Sequence, residues 1–189
     1  MLRGKERQVS PSVEGIQKGH VERYRFAAKK VKDFILDAAC GCGYGSSLLH
    51  AVGDVTGIDL EPDAIEYARL NYPGPEYVVS HVAEHDGSYD WVVSLETLEH
   101  LPEPEPTLRN FRKISENLIV STPNETKYPF KPENYVGDTF PHIRHYTPEE
   151  LTDLLKRTGW TVAEKHCQVW KTDKVTPGTD GVFIIFVCK

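Results

Sequence analysis

Apolar and polar residues follow two rhythms along this chain. Short apolar stretches such as "DFILDAA" (33–39) and "YDWVVSL" (89–95) are continuous, as in strands buried on both faces. In "TPEELTDLLKRTGW" (147–160) the apolar residues instead recur at helical spacing. Thr147 predicts an N-cap, Pro148 a first helical position, Glu150 the partner in a capping box, and Gly159 a stop. The same reading predicts helices over 14–32, 45–52, 61–72 and 106–115, the first with Ile16, Val21, Tyr24, Ala28 and Val31 near helical spacing. Further strands are predicted over 54–60, 76–82, 117–123, 161–170 and 181–189.

Strands that alternate with helices imply a parallel sheet covered on both faces. The last two strands have only the turn-rich "KTDKVTPGTD" between them, which predicts an antiparallel hairpin at one edge. The expected fold is therefore a single α/β domain over 14–189. It is doubly wound around a mostly parallel seven-stranded sheet with an antiparallel last strand, and residues 1–13 are expected as a flexible tail. Residues 124–146 contain Tyr128, Phe130, Tyr135 and Phe140 and form a loop long enough to suggest a functional lid or a packed cover.

Composition narrows the class only slightly. Net charge is −6, which provides no global basic footprint for nucleic acid. No apolar run reaches the length of a membrane span, and the polar N-terminal segment lacks the apolar core of a secretory signal. A cytoplasmic protein with no membrane partner is expected. The four cysteines do not form a disulfide-framework pattern, and the lone C-x-C of Cys40 and Cys42 is a weak metal signal. Nothing in the pattern specifies an oligomeric state.

The chemistry concentrates after the first strand, where Gly41, Gly43 and Gly45 alternate on a strand-to-helix turn. A phosphate-binding loop would need a lysine after the run, and a dinucleotide fingerprint would need glycine or alanine where Ser46 stands. Asp37, at the end of the strand, would repel a pyrophosphate but welcome a cation. S-adenosylmethionine satisfies both conditions, with an ammonium, a sulfonium and no phosphate. Asp59 ends the second strand, where a carboxylate can accept from both ribose hydroxyls or cap the helix that follows.

Together, "VERYRFAAKKVKDFILDAACGCGYGSSLL", "VTGIDLEPDAIEYAR", "YDWVVSLETLEHL" and "LIVSTPNE" resemble class I S-adenosylmethionine-dependent methyltransferases over roughly residues 20–160. The resemblance implies that Asp37 and the turn containing Ala39, Gly41, Cys42, Gly43, Tyr44 and Gly45 hold the methionine part. Asp59 and Leu60 would hold the adenosine, and Ser94 joins this cofactor-binding set. The place where many members carry an acid for the adenine amine is occupied by His81, followed by Val82. Arg23 and Tyr24 lie on the helix that often covers the cofactor in this family, with Tyr24 read as a packing residue.

At the end of the fourth strand, Glu96, Glu99 and His100 are spaced i, i+3, i+4, and a helical turn would present all three on one face. Clustered carboxylates and an imidazole are favourable when a divalent cation joins them. E-x-x-E-H here, S-T-P-N after the next strand and a histidine five residues before Thr147 resemble two metal-dependent groups. These are the ubiquinone-pathway O-methyltransferases and the 2′-O-methyltransferases of small-RNA 3′ ends. By that resemblance Glu96, Glu99, His100 and His142 would bind one ion (Mg, Mn, Fe, Co or Zn), with His145 a rival for His142. In a metal-free enzyme, His100 or Glu96 would be the general base. Asn124 would orient the acceptor or serve as a turn residue.

The expected activity is O-methylation of a small hydroxylated acceptor, sugars included. The alternatives are a terminal RNA ribose as acceptor, which the acidic charge disfavours, and a non-catalytic S-adenosylmethionine-binding module.

Overall fold

The computed structural model describes residues 8–138, 141–170 and 172–189. The chain runs α1 (Lys18–Ala28), β1 (Asp33–Ala38), α2 (Tyr44–Leu49), β2 (Gly53–Asp59), α3 (Pro62–Asn71), β3 (Glu76–Val79) and β4 (Trp91–Leu95). It continues with α4 (Pro104–Ile114), β5 (Leu118–Pro123), α5 (Pro148–Arg157), β6 (Val162–Gln168), β7 (Val175–Pro177) and β8 (Phe183–Cys188). These strands form one sheet in the order β3-β2-β1-β4-β5-β8-β6-β7. β1 pairs in parallel with both β2 and β4, so the winding direction reverses there. β8 is antiparallel to both β5 and β6, as the terminal hairpin predicted.

The continuous apolar strands are explained by cover on both faces. Ile35, Val93 and Ile119 pack with Val21, Tyr24 and Ala27 of α1, Leu49 of α2 and Ile65 of α3. Their neighbours Leu36, Val92 and Leu118 point the other way, onto Leu108 and Phe111 of α4, Leu151 and Leu155 of α5, and Trp160. α5 begins with the expected capping box: Glu150 N–H donates to the Thr147 hydroxyl and Thr147 N–H donates to the Glu150 carboxylate. Gly159, at φ +94, ends it.

Four expectations change. The sheet has eight strands rather than seven, because Val175–Pro177 pairs with His166–Gln168 as a short edge strand. A three-residue strand ending in proline has no readable alternation, which is why its sequence looked like a turn. The helix expected over 14–32 is shorter and follows a 3₁₀ turn at Val13–Gly15, with extended, buried Ile16 in between. The strand expected over 76–82 stops at Val79: Ser80 N–H makes the last bond to β2, at the Asp59 carbonyl, and a turn then closes on His81. Within residues 8–13, expected as part of the loose tail, Ser10 anchors the segment to the domain: it is buried and its carbonyl accepts from Tyr72 at 2.8 Å. The rest of that expected tail, 1–7, and Phe140 lie outside the described residues. Among the described residues, no helix is long and apolar enough to cross a membrane.

Candidate active site

A cavity of about 760 Å³ opens over the C-terminal ends of β1, β2, β4 and β5, where a doubly wound sheet places its ligands. Ala39, Gly41, Cys42, Tyr44, Asp59, Leu60, His81 and Val82 of the expected cofactor set line it, whereas Asp37, Gly43, Gly45 and Ser94 do not. The backbone is held in the left-handed region at Ala39 (φ +64) and Glu96 (φ +54), which turn the ends of β1 and β4 along the cavity wall.

The glycines do different things. At Gly41 (φ +56) a Cβ would meet nothing within 4 Å, so this backbone lies open to the cavity. At Gly45 a Cβ would fall 2.1 Å from the Tyr24 ring, and at Gly43 it would fall 2.6 Å from the Ala68 side chain. Only at Gly41 would a side chain find room. The other two are small because helices pack on them.

Asp37 lies behind the wall, with no exposed surface. Tyr24 donates to one carboxylate oxygen at 3.0 Å and Ser46 to the other at 2.6 Å. Burial raises its pKa to about 7, against those two hydrogen bonds, and the nearby Asp59 charge pushes the same way as burial. Ser46, the residue that breaks the dinucleotide pattern, is thus the one that holds the acid. Asp59 accepts from Gly41 N–H at 2.9 Å and from Glu61 N–H at 2.9 Å, so one carboxylate joins the glycine turn to the start of α3. The bond from Glu61 N–H is a turn just ahead of the helix rather than a cap on its first N–H groups, and the place of Asp59 on the cavity wall leaves the ribose role available. His81 is exposed, and its Nδ1 accepts from Ala83 N–H at 3.1 Å, so in the neutral ring Nε2 carries the proton. That tautomer offers a ligand a donor, where a carboxylate would offer an acceptor.

The ceiling joins the first helix to the far end of the chain. Arg23 is 2% exposed, donates through Nη1 to the Gln168 side chain at 2.5 Å, and lies over the Phe183 ring at 4.2 Å. Its Nη2 is buried with no hydrogen-bond partner, and the residue lines the cavity. Gln168 also donates to the carbonyls of Gly19 (2.9 Å) and Asp173 (2.7 Å). Sequence reasoning missed Gln168, His20 and Trp170 as cavity residues. Nothing local signals them, since the turn after β6 reads as an ordinary connector. Burial, reinforced by Arg23, lowers the His20 pKa to about 3 and keeps its ring neutral.

At the other end, Glu99, His100 and His142 bring one potential ligand atom each within 4.8 Å of one another. Glu99 is fully buried, and neither carboxylate oxygen has a well-formed hydrogen bond, nor does the hydroxyl of Thr122. Burial, then repulsion from Glu96, raises the Glu99 pKa well above the carboxylate range. An orphaned carboxylate beside two imidazoles is a donor set that fits a divalent cation. His100 Nδ1 lies 3.3 Å from the Pro141 carbonyl, which can only accept, so Nε2 is the nitrogen with the lone pair in its neutral ring.

Glu96 departs from the expected quartet. Residues 98–100 form a 3₁₀ turn rather than an α-helix, and the left-handed Glu96 precedes it. Its carboxylate accepts from Ser121 at 2.5 Å and lies 3.8 Å from Arg23, on the cavity wall. His145 is not in the cluster but lies behind His142, at 3.0 Å. Tyr128 and Tyr135 of the long loop line the cavity, while Phe130 stacks on Tyr135 from behind. Asn124 is buried away from the cavity and donates to the carbonyls of Thr179 and Gly181, so it is a turn residue. The cysteines are all buried, and Cys40 and Cys42 form no metal-ligating group among the described residues.

Residues 19–165 match the model of a methyltransferase domain family. The chain belongs to the class I S-adenosylmethionine-dependent methyltransferase family. It is 32% identical over 143 residues to a probable S-adenosylmethionine-dependent methyltransferase of Mycobacterium tuberculosis, covering 72% of this chain and 52% of that protein. It is 43% identical over 151 residues to a ubiquinone biosynthesis O-methyltransferase of Hydrogenovibrio crunogenus, covering 69% of this chain and 63% of that protein. This methyltransferase-family chain thus spans between about half and two thirds of the length of these curated relatives. The fold is shared with a Thermotoga maritima protein described as a possible histamine N-methyltransferase, at a TM-score of 0.75, 19% identity and 90% coverage of both chains.

Proposed function

We propose that this domain binds S-adenosylmethionine and transfers its methyl group to a hydroxyl of a small acceptor, with sugars among the candidates, assisted by a divalent cation. One juxtaposition carries the reading: a single cavity is lined by Gly41 and Asp59 and also by His100 and His142, with buried Glu99 within 4.8 Å of those two histidines. In this reading the Gly41 backbone takes the methionine part and the Asp59 side chain takes the nucleoside. The unpartnered Nη2 of Arg23 takes the cofactor's carboxylate, and Asp37 acts on its ammonium through the wall.

Glu99, His100 and His142 would hold the ion, which when bound would lower the pKa of an acceptor hydroxyl. The acceptor oxygen attacks the methyl carbon, the carbon–sulfur bond breaks, and S-adenosylhomocysteine leaves with the electron pair on sulfur. The acceptor's proton goes to Glu96, which Ser121 and Arg23 hold at the cavity wall. Tyr128 and Tyr135 narrow the acceptor side and exclude water.

The 2′-hydroxyl of a terminal RNA ribose is disfavoured by the acids Glu61, Glu96, Asp138 and Asp173 that line the cavity. The test is turnover of methyl-labelled cofactor against hydroxylated small molecules, sugars and short RNA, with and without Mn²⁺. The reading stands if S-adenosylhomocysteine accumulates with a small acceptor in a chelator-sensitive way. Transfer to RNA alone would replace it with the ribose reading, and cofactor binding without turnover would replace it with a binding module.

A further inference from the structure

The two histidines at the end of the long loop are 3.0 Å apart, Nδ1 of His142 to Nε2 of His145, and both rings are buried. His145 Nδ1 lies 2.7 Å from the Tyr128 carbonyl, an atom that can only accept, so that nitrogen carries a proton. Glu125 lies 3.9 Å from the same nitrogen, too far to take the bond from Tyr128. In a neutral His145, Nε2 is then the acceptor, and the contact with His142 must be donated by His142 Nδ1–H. The Tyr135 hydroxyl also approaches His145 Nε2, at 3.2 Å, and its ring stacks on His142 at 4.3 Å, which sets the plane of that imidazole.

We propose that His145 is a positioning residue that fixes the tautomer of His142, leaving the Nε2 lone pair of His142 for the cluster with Glu99 and His100. The chain of donors runs from His142 Nδ1–H to His145 Nε2, and from His145 Nδ1–H to the Tyr128 carbonyl. The two imidazoles of the cluster are thus oriented from behind in the same sense. His100 is held directly by the Pro141 carbonyl, and His142 is held through His145 by the Tyr128 carbonyl. Outer partners of this kind decide which ring nitrogen is available and hold the ring still. The use of the lone pair rests on the metal reading above, but the tautomer does not.

Long-range ¹H–¹⁵N correlation of the imidazoles in metal-free protein at pH 8 reads this directly. His142 is expected as the Nδ1–H form with an unprotonated Nε2. His145→Phe is expected to convert it to a mixture, whereas His145→Gln, which keeps an acceptor for His142 and a donor for Tyr128, retains it. Calorimetry with Mn²⁺ and Co²⁺ should show affinity about 10–100-fold weaker in His145→Phe and closer to wild type in His145→Gln. An Nε2–H signal for His142 in the wild type overturns the proposal, as does an unchanged tautomer in a folded His145→Phe protein. If the phenylalanine variant does not fold, the wild-type and glutamine spectra decide. Nδ1–H at His142 with no metal uptake would sink the metal reading alone. Tight metal uptake by the wild type and His145→Phe alike would sink this proposal alone.

Discussion

Tyr24 donates a 3.0 Å hydrogen bond to Asp37 and, with Ser46 on the other oxygen, closes that carboxylate off from the cavity. Under the proposed function the acid acts on the cofactor by its field rather than by contact, and its protonation is the variable that a bound cation would change.

That variable can be measured. Asp37 has a pKa raised to about 7 in the fold, against about 3.9 unfolded. Between those values the folded chain holds more protons than the unfolded one, so stability falls as pH rises through that window and levels off above it. The effect is roughly 4 kcal/mol at most, and Asp37→Asn should remove this part of the pH dependence in denaturation curves. A cation bound across the wall favours the carboxylate, so S-adenosylmethionine binding near pH 6 should release a proton. Calorimetry in buffers of different ionisation enthalpy should detect it in the wild type and not in Asp37→Asn.

The glycines should separate by phenotype. Gly45→Ala drives a methyl into the Tyr24 ring and Gly43→Ala drives one into Ala68, so each should lose about 1–3 kcal/mol of stability in urea. Gly41→Ala meets open space, at the cost of about 1–2 kcal/mol for alanine in the left-handed region. Its main effect should be weaker cofactor binding with the fold retained.

Glu99 should be a stability liability without metal. Its pKa is raised by burial and by Glu96, so metal-free stability should fall as pH rises above the ordinary carboxylate range. Glu99→Gln should flatten that slope and raise the metal-free melting temperature while abolishing Mn²⁺ uptake. Equal metal uptake by the two proteins would remove Glu99 from the ligand set.

Arg23 should discriminate between cofactor fragments. Arg23→Gln should weaken S-adenosylhomocysteine by about 10–100-fold, as expected for one charge-assisted hydrogen bond. It should leave 5′-methylthioadenosine, which lacks the amino-acid part, nearly unchanged. A uniform loss across both ligands would point to a structural role for the contacts with Gln168 and Phe183.

What the sequence could and could not show divides along physical lines. Period and capping located α5 and the buried strands, because burial on both faces leaves an unmistakable run such as Leu118–Val120. Motif spacing brought out the glycine turn, Asp59, Glu99 and His100, because those lie within a few residues of a strand end, and His142 by its fixed distance ahead of Thr147. It misread Glu96, because an i, i+3, i+4 spacing assumes an α-turn and the chain makes a 3₁₀ turn there. The separate duties of Gly41, Gly43 and Gly45 were illegible, since Tyr24 and Ala68 come from distant segments. Gln168 was illegible for the same reason, lying 145 residues from Arg23.

That last separation bears on biosynthesis. The guanidinium of α1 is steadied only when the Gln168 amide reaches it, so the ceiling cannot be completed on a nascent chain until β6 has left the ribosome. The nucleoside floor is translated well ahead of β6, so the cavity that uses it waits on a strand that follows much later.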